Sequence, residues 1–181
     1  VKTSKDYGES WSSPIVLAQA SLQEDGHCWN CPRISVFPDG RLIIICDYED
    51  RSEERTVWAW WSNDQGRSLT KPVQILGEGL CPDRVVSLPS GRLLLAAGCE
   101  GKGETLFISY NGGVSWEAYS VVHPKAGEGS IVALDETTLV CYLRQTEWFS
   151  PKAISTDGGK TWPHRTLTPF MGHRPCAGVL R

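Results

Sequence analysis

The sequence predicts an all-β protein of repeated four-stranded sheets, arranged as a β-propeller. An eight-residue turn motif occurs four times, beginning at Ser4, Ser62, Ser109 and Ser155, so that its copies start 58, 47 and 46 residues apart. Repeats of roughly 40 to 50 residues separated by short strand-like segments are typical of propeller blades. A second repeat of strand, tight turn and strand accompanies the motif, and no segment has the apolar period of a helix. Four antiparallel strands per repeat are the expected blade.

The repeated turn motif, exemplified by Ser155–Trp162, has the chemistry of a hairpin turn. Its Asp accepts backbone N–H groups inside the turn, and its Gly supplies a left-handed backbone position. The closing Trp is a large apolar group that packs on the same sheet. Two copies depart from the pattern, with Leu69 in place of Trp and Asn111 in place of Asp. We expect those two turns to be less well anchored.

The second repeat divides the chain into blades. Pro-Asp-Gly and Pro-Ser-Gly turns join apolar runs at corresponding places, which predicts strand–turn–strand units. Three complete blades are expected at 31–80, 81–126 and 127–170, with a blade remnant at 1–30 and the start of another blade at 171–181.

Within these limits each strand is predicted from a short apolar run bounded by turn residues. In the remnant, Ile15–Ala18 is the expected outer strand and Gln19–Asn30 a polar loop. The expected blade strands are Ile34–Phe37, Leu42–Asp47, Thr56–Ser62, Pro72–Leu76, Val85–Leu88, Leu93–Gly98, Thr105–Ser109, Glu117–Val121, Ile131–Leu134, Leu139–Arg144, Lys152–Ser155 and Arg165–Leu167.

Composition excludes several classes of function. The 181 residues carry a formal net charge of −3, with acidic and basic residues mixed along the chain. This pattern gives no basis for nucleic-acid binding. No apolar stretch is long enough to span a membrane, and no signal peptide is recognisable in this chain.

Seven cysteines are more than a chain of this length usually carries. Cys46, Cys99 and Cys141 lie inside apolar strand runs, where free thiols behave as small hydrophobic groups. Cys28 and Cys31 form a Cys-x-x-Cys beside His27, for which a zinc site and a disulfide or redox pair are alternatives. A zinc site needs two further ligands and there is no second Cys-x-x-Cys. We therefore predict no metal and no other cofactor.

The octet Ser-x-Asp-x-Gly-x-Thr-Trp resembles the Asp box, or BNR repeat, of the sialidase (neuraminidase) superfamily. The resemblance covers nearly the whole chain and implies a six-bladed sialidase-like propeller, here a partial one of three complete blades and parts of two more. In that family the boxes lie at the periphery, so Asp6, Asp64 and Asp157 would be structural. An extracellular or periplasmic location is suggested by the resemblance alone.

The stretch from Gly127 to Arg144 resembles the sialidase segment in which a Glu precedes the first strand and an Arg closes the second. Glu128 and Arg144, 16 residues apart, occupy those positions. The resemblance implies that Glu128 polarises a Tyr nucleophile and that Arg144 grips the substrate carboxylate, as a planar guanidinium can. Arg174, before Pro175, would be another carboxylate-binding Arg. The alternatives are that Glu128 is a solvated loop acid, Arg144 a charge at a strand end and Arg174 an ordinary loop cation.

Two further arginines, Arg33 and Arg84, each precede their turn Gly by seven residues. They are candidates for the remaining carboxylate-binding Arg, although the family's Arg falls nearer the position of Asn30. Alternatively, they form ion pairs between blades with Asp83 or Asp47.

The general acid of the family is an Asp in the loop after a second strand. Here that loop is rich in carboxylates, and Asp50 is the first candidate and Glu53 the second. A solvated charged loop is the alternative. The Tyr nucleophile of the family belongs to the last blade, outside this chain, and Tyr142 is expected to be a core residue.

These residues favour an exo-acting, retaining glycoside hydrolase that removes a terminal sialic acid or a related acidic sugar from a glycan. A non-catalytic carbohydrate-binding propeller, or an Asp-box protein with an interaction role, is the alternative, since a fold does not fix a function. The incomplete blade edges at Ile15–Ala18 and Cys176–Leu180 predict self-association.

Overall fold

The computed structural model describes residues 1–20, 26–50, 54–145 and 148–179, and within them it contains strands and no helix. Twelve strands form three four-stranded antiparallel sheets, each built from strands consecutive in the chain. The all-β class and the predicted three blades are confirmed. The described part of the chain has no helix that could span a membrane. The strands are β1 (His27–Val36), β2 (Leu42–Asp50), β3 (Arg55–Ser62), β4 (Val73–Leu76), β5 (Val86–Ser87), β6 (Leu93–Cys99), β7 (Gly103–Ser109), β8 (Glu117–His123), β9 (Gly127–Ala133), β10 (Leu139–Arg144), β11 (Pro151–Ser155) and β12 (His164–Leu167).

The second strand of the middle sheet shows why some strands are apolar at every position. Leu93 and Leu95 of β6 pack between the first and second sheets, whereas Leu94 and Ala96 pack between the second and third. Successive side chains of a strand point to opposite faces, so a strand covered on both faces needs apolar residues at every position.

The apolar core consists of the two interfaces between consecutive blades. The first interface joins residues of both sheets, including Ile43, Ile45, Val57, Ala59, Leu93, Leu95, Ala97 and Phe107. The second includes Leu94, Ala96, Leu106, Ile108, Ile131, Leu139, Cys141 and Ala153. Each blade is thereby stabilised by its neighbour, as in a propeller.

The N-terminal segment covers the outer face of the first sheet. Leu42, Ile44, Cys46 and Trp60 form a third apolar cluster there, against which residues near the N-terminus, including Leu17, pack. The expected strand at 15–18 does not form. Hydrogen bonds pair residue 15 with residue 1 and residue 12 with residue 3, and these few bonds do not extend into a ladder.

The first strand of the first blade begins earlier than the sequence predicts. The range Gln19–Asn30 is expected to be a loop, yet β1 starts at His27 and pairs with β2 as far as Asp50. The ring of Trp29 packs on Tyr48, with centroids 4.9 Å apart. Such cross-strand aromatic contacts stabilise a sheet, and they depend on residues distant in sequence.

The Asp-box turns are held by side-chain hydrogen bonds. Asp157 accepts from the Ser155 hydroxyl at 2.7 Å, the Thr161 N–H at 3.0 Å and the Thr161 hydroxyl at 2.6 Å. These bonds lower the pKa of Asp157 to about 2, with the Thr161 hydroxyl contributing most. The box aspartates are thus engaged in the turns, in agreement with a structural role.

The Asn111 turn keeps the same contacts. Its side-chain carbonyl accepts from the Ser109 hydroxyl and the Ser115 N–H, each at 3.0 Å, and its amide donates to the Ser115 hydroxyl at 2.8 Å. The Ser115 hydroxyl accepts here where it would donate to an Asp, so the same partners are kept. The Ser109 contact is longer than the 2.7 Å Ser155 contact at Asp157 and is not charge-assisted, so the weaker anchoring of this turn stays a prediction. In the neighbouring box, the indole N–H of Trp116 donates to a turn carbonyl at 2.9 Å. Leu69 has no N–H in its side chain and cannot make this bond.

Candidate functional site

Strand direction separates the Asp boxes from the candidate site. In the third sheet Gly127 pairs with Arg144 at one edge, while Leu139 pairs with both Ala133 and Ser155 at the opposite edge. The Asp box begins at Ser155. The term channel mouth is used for the edge of the sheets at which the first strand of each blade begins and the second strand ends. Glu128 and Arg144 lie at the channel mouth.

Four residues occupy equivalent positions at the channel mouth. Each lies near the start of one of the successive segments that line the channel. They are Cys31, Cys81, Glu128 and Arg174, spaced 50, 47 and 46 residues apart. All four have left-handed backbones, with φ of 52°, 48°, 49° and 56°. Non-glycine residues rarely adopt this conformation, and such strain concentrates at functional sites.

The structure brings Glu128 and Arg144 into direct contact. Arg144 Nη1 donates to Glu128 Oε1 at 2.6 Å, and the side chains are 27% and 18% exposed respectively. A cavity of about 250 Å³ adjoins the pair and is lined also by Leu80, Gly98 and Lys125. Charged groups at its wall suit a polar or anionic ligand.

Arg174 lies at the same mouth but contacts the two cysteine-bearing segments. Its Nη1 donates to Cys31 Sγ and its Nη2 donates to the carbonyl of Pro82 at 3.3 Å. A guanidinium has five N–H donors, so these contacts leave further donors for a ligand.

Arg33 and Arg84 are bound to carbonyl groups. Arg33 is half-buried and its Nη1 donates to the carbonyl of Pro32 at 3.4 Å, while Arg84 Nη2 donates to the carbonyl of Ala177. Arg84 thereby holds the C-terminal segment across the channel, where the first strands of the three blades line a cleft of about 360 Å³.

Three buried carboxyl groups, Asp47, Asp83 and Glu104, lie behind the mouth. The ion pairs among the described residues do not join Arg33 or Arg84 to any of them, so the alternative of ion pairs between blades is wrong for these arginines. Sequence reasoning missed Glu104, which lies near the start of the buried strand β7.

Two of these acids bridge blades through backbone N–H groups. Asp83 Oδ2 accepts from the N–H of Ile131 at 2.8 Å, and Glu104 Oε1 accepts from the N–H of Gly129 at 3.1 Å. Burial raises the pKa of Asp83, and it raises the pKa of Glu104 to about 8. Glu104 is therefore largely protonated at neutral pH.

The third acid, Asp47, lies against the thiols. It is fully buried, and its two carboxylate oxygens have no hydrogen-bond partner in the described part of the chain. The Sγ atoms of Cys31 and Cys81 are 3.2 Å apart, and one ligand atom from each of the three residues lies within 4.8 Å of the others. Burial raises the pKa of Asp47 and of the Cys81 thiol.

The remaining cysteines follow the sequence prediction in part. Cys46, Cys99 and Cys141 are buried free thiols, as expected, and burial raises the pKa of Cys46 to about 12. Cys28 and Cys31 are both free, so the expected alternative of a disulfide between them is not formed.

The candidate general acids are placed only in part. Asp50 ends β2 opposite His27, and its backbone N–H faces the carbonyl of Glu54 at 3.5 Å. Glu53 lies outside the described residues.

Tyr142, predicted to be a core residue, is only half-buried and lies outside the apolar core clusters. Its ring stacks on Phe170, with ring centroids 6.4 Å apart.

Four consecutive antiparallel strands form each blade, an Asp-box turn joins the third strand to the fourth, and the blades pack face to face, which defines an Asp-box β-propeller. A family model described as "BNR repeat-like domain" matches residues 1–175, and the chain belongs to that family. No curated protein matches it in sequence.

Solved structures with this fold include several sialidases. A mutant of NanB sialidase from Streptococcus pneumoniae is 13% identical at a TM-score of 0.71, covering 92% of this chain and 46% of its own. The leech intramolecular trans-sialidase is 12% identical at 0.72, with 93% and 46% covered. A protein of unknown function from Dyadobacter fermentans is 20% identical at 0.74, with 97% and 59% covered. At these identities the likeness shows the fold, and the chain spans about half the length of these structures.

Proposed function

We propose that this chain is part of a sialidase-like, exo-acting glycoside hydrolase that removes a terminal sialic acid or a related acidic sugar from glycoconjugates with retention of configuration. The observation that carries the proposal is the Glu128–Arg144 pair at the channel mouth, on the edge away from the Asp boxes. A carboxylate and a guanidinium in contact beside a cavity supply a proton acceptor and a cation that can bind the substrate carboxylate.

Arg144 and Arg174 are the proposed carboxylate-binding residues. Both guanidinium groups retain N–H donors beyond those already engaged with Glu128, Cys31 and Pro82. A guanidinium binds a carboxylate through two parallel hydrogen bonds, which selects acidic sugars over neutral ones.

Glu128 is the proposed partner of a Tyr nucleophile supplied outside this chain. A carboxylate beside a phenol accepts the hydroxyl proton as the phenol oxygen attacks the anomeric carbon. The ion pair with Arg144 orients Glu128 for this role. Asp50, at the end of β2, is the proposed general acid, with Glu53 as the second candidate.

A non-catalytic glycan-binding propeller is the second candidate function. It is favoured by one observation: among the described residues, no free Arg lies at the first-blade position of the channel mouth. Asn30 and Cys31 occupy that place, and Arg33 is half-buried and bound to a carbonyl. Such a protein would bind an acidic sugar through Arg144 without turning it over.

Turnover by the full-length protein distinguishes the two functions. We expect hydrolysis of a fluorogenic α-sialoside, and we expect Glu128→Gln to lower kcat by more than tenfold with a smaller change in KM. Arg41→Ala, which removes an exposed ion pair with Asp39, is the matched control. Binding without hydrolysis in the full-length protein would support the second function, and neither binding nor hydrolysis of acidic sugars would contradict both.

A further inference from the structure

Two thiols and a buried carboxylate converge where the first blade meets the second. We propose that Cys31, Asp47 and Cys81 bind a zinc-type divalent cation that links these two blades. The site goes beyond the proposed glycosidase function and does not depend on it, because none of the three residues is assigned a role in the sugar reaction.

The donor set suits such a cation. Thiolates select soft or borderline metals such as zinc, and zinc accepts carboxylate oxygen beside sulfur. Zinc lies about 2.3 Å from sulfur and about 2.0–2.2 Å from oxygen, so one ion reaches donors separated by up to about 4.5 Å. The three donor atoms lie within 4.8 Å of one another, a spread that needs only a small adjustment.

Asp47 supplies the independent observation that a ligand belongs here. Its side chain is fully buried and neither oxygen has a hydrogen-bond partner of ordinary geometry in the part of the chain that the structure describes, and the backbone N–H of Cys81 nearby only opposes the rise in its pKa. Burial of a polar group without a partner is costly, and buried polar groups are nearly always satisfied. A cation would satisfy it, whereas a disulfide between Cys31 and Cys81 would leave Asp47 unpartnered.

Charge balance is favourable once Arg174 is included. Two thiolates and one carboxylate carry three negative charges. A divalent ion neutralises two of them, and the guanidinium that donates to Cys31 Sγ neutralises the third. Hydrogen bonds to metal-bound ligands commonly orient them and tune metal affinity. The thiols release their protons to solvent on binding.

The site connects parts of the chain that are distant in sequence. Cys31 lies at the register shift of β1, Asp47 is in β2, and Cys81 lies between β4 and β5. An ion held by all three joins the first sheet to the segment that leads into the second sheet. Three protein ligands leave one tetrahedral position for water or another ligand.

Metal titration of the full chain tests the site. The chain is reduced, treated with a chelator, dialysed, and titrated with zinc alone or cobalt alone. We expect one equivalent to bind, a thiolate-to-cobalt charge-transfer absorption to appear, and zinc to raise the melting temperature. Cys31→Ser, Cys81→Ser and Asp47→Asn should each weaken binding by at least tenfold. The controls Cys28→Ser and Cys176→Ser should bind as the parent does.

Several results would overturn the site. They are the absence of stoichiometric binding, binding that survives Cys31→Ser together with Cys81→Ser, and loss of binding on Cys28→Ser. A peptide map of the unreduced chain that joins Cys31 to Cys81 without bound metal would establish a redox pair instead. The cobalt absorption of the parent protein tests the proposal even if a variant fails to fold. Because every readout is independent of sugar hydrolysis, failure here leaves the proposed function standing, and the reverse also holds.

Discussion

Arg144 donates a 2.6 Å hydrogen bond to Glu128 across the first hairpin of the third blade. The register of β9 and β10 enforces this contact, since Arg144 pairs with Gly127, the neighbour of Glu128. Both side chains are mostly shielded from water, so each fixes the orientation of the other. The pair is therefore a preorganised element at the channel mouth.

Arg144→Ala should weaken binding of an acidic sugar by the full-length protein. Loss of a charge-assisted hydrogen bond costs about 1.5–3 kcal/mol, which corresponds to roughly tenfold to 150-fold in affinity. Calorimetric titration with free sialic acid measures the change, and Arg41→Ala, at the opposite edge of its sheet, is the control. Unchanged affinity in Arg144→Ala would remove this residue from the binding site.

Gly129→Ala should destabilise the fold. A Cβ at this position would lie 2.8 Å from Cys141 Sγ and 2.9 Å from Glu104 Oε1, both of which are buried. Overpacking of this kind typically costs about 1–3 kcal/mol.

Urea unfolding measures this effect against a matched glycine. A Cβ at Gly77 meets nothing within 4 Å, so Gly77→Ala should change the free energy of unfolding by less than about 0.5 kcal/mol. Equal effects of the two substitutions would show that the space beside Glu104 is not tightly packed.

The isolated chain should self-associate at tens of micromolar. Ile34 and Val36 on β1 are 54% and 69% exposed, and Leu167 on the outer strand β12 is 63% exposed. Exposed apolar side chains along sheet edges favour pairing with another copy. Light scattering should show dimers or larger species, and fewer of them after Ile34→Thr with Val36→Thr. A monodisperse monomer in the parent chain would contradict the prediction.

The repeated turns and three blades could be predicted because their signals are local. The Ser, Asp and Gly of an Asp box make their contacts within one turn, as Asp157 does. The start of β1 could not be predicted in the same way, since Trp29 is held by rings of β2 and β3.

The channel mouth was predicted in part. Glu128 and Arg144 are joined by one hairpin, so their proximity follows from a local motif. Cys31, Asp47 and Cys81 meet only because two blades pack together. The apolar residues that pack the blades do not indicate, in the sequence, which polar groups will be enclosed between them. The spacing of Cys31, Cys81 and Glu128, 50 and 47 residues, was a usable signal, because it is close to the 47 and 46 residues that separate the last three Asp boxes.

Glu104 should make the stability of the fold fall as pH rises. Its pKa is raised by burial from an ordinary value of 4.5 to about 8, with Asp83 and Glu128 also raising it and Arg174 opposing them. Between these two pH values the unfolded chain loses a proton that the folded chain keeps. The free energy of unfolding therefore decreases with pH, by up to about 1.4 kcal/mol per unit from this group.

Glu104→Gln isolates this contribution. The amide oxygen can still accept the N–H of Gly129, but the side chain no longer titrates. Urea unfolding across pH 4.5 to 8 should show a shallower decline for the variant, and the two curves should separate as pH rises. Asp47, whose pKa burial also raises, contributes a slope of the same sign in both proteins. Its effect cancels in the difference, so parallel curves would mean that Glu104 is ionised in the folded chain.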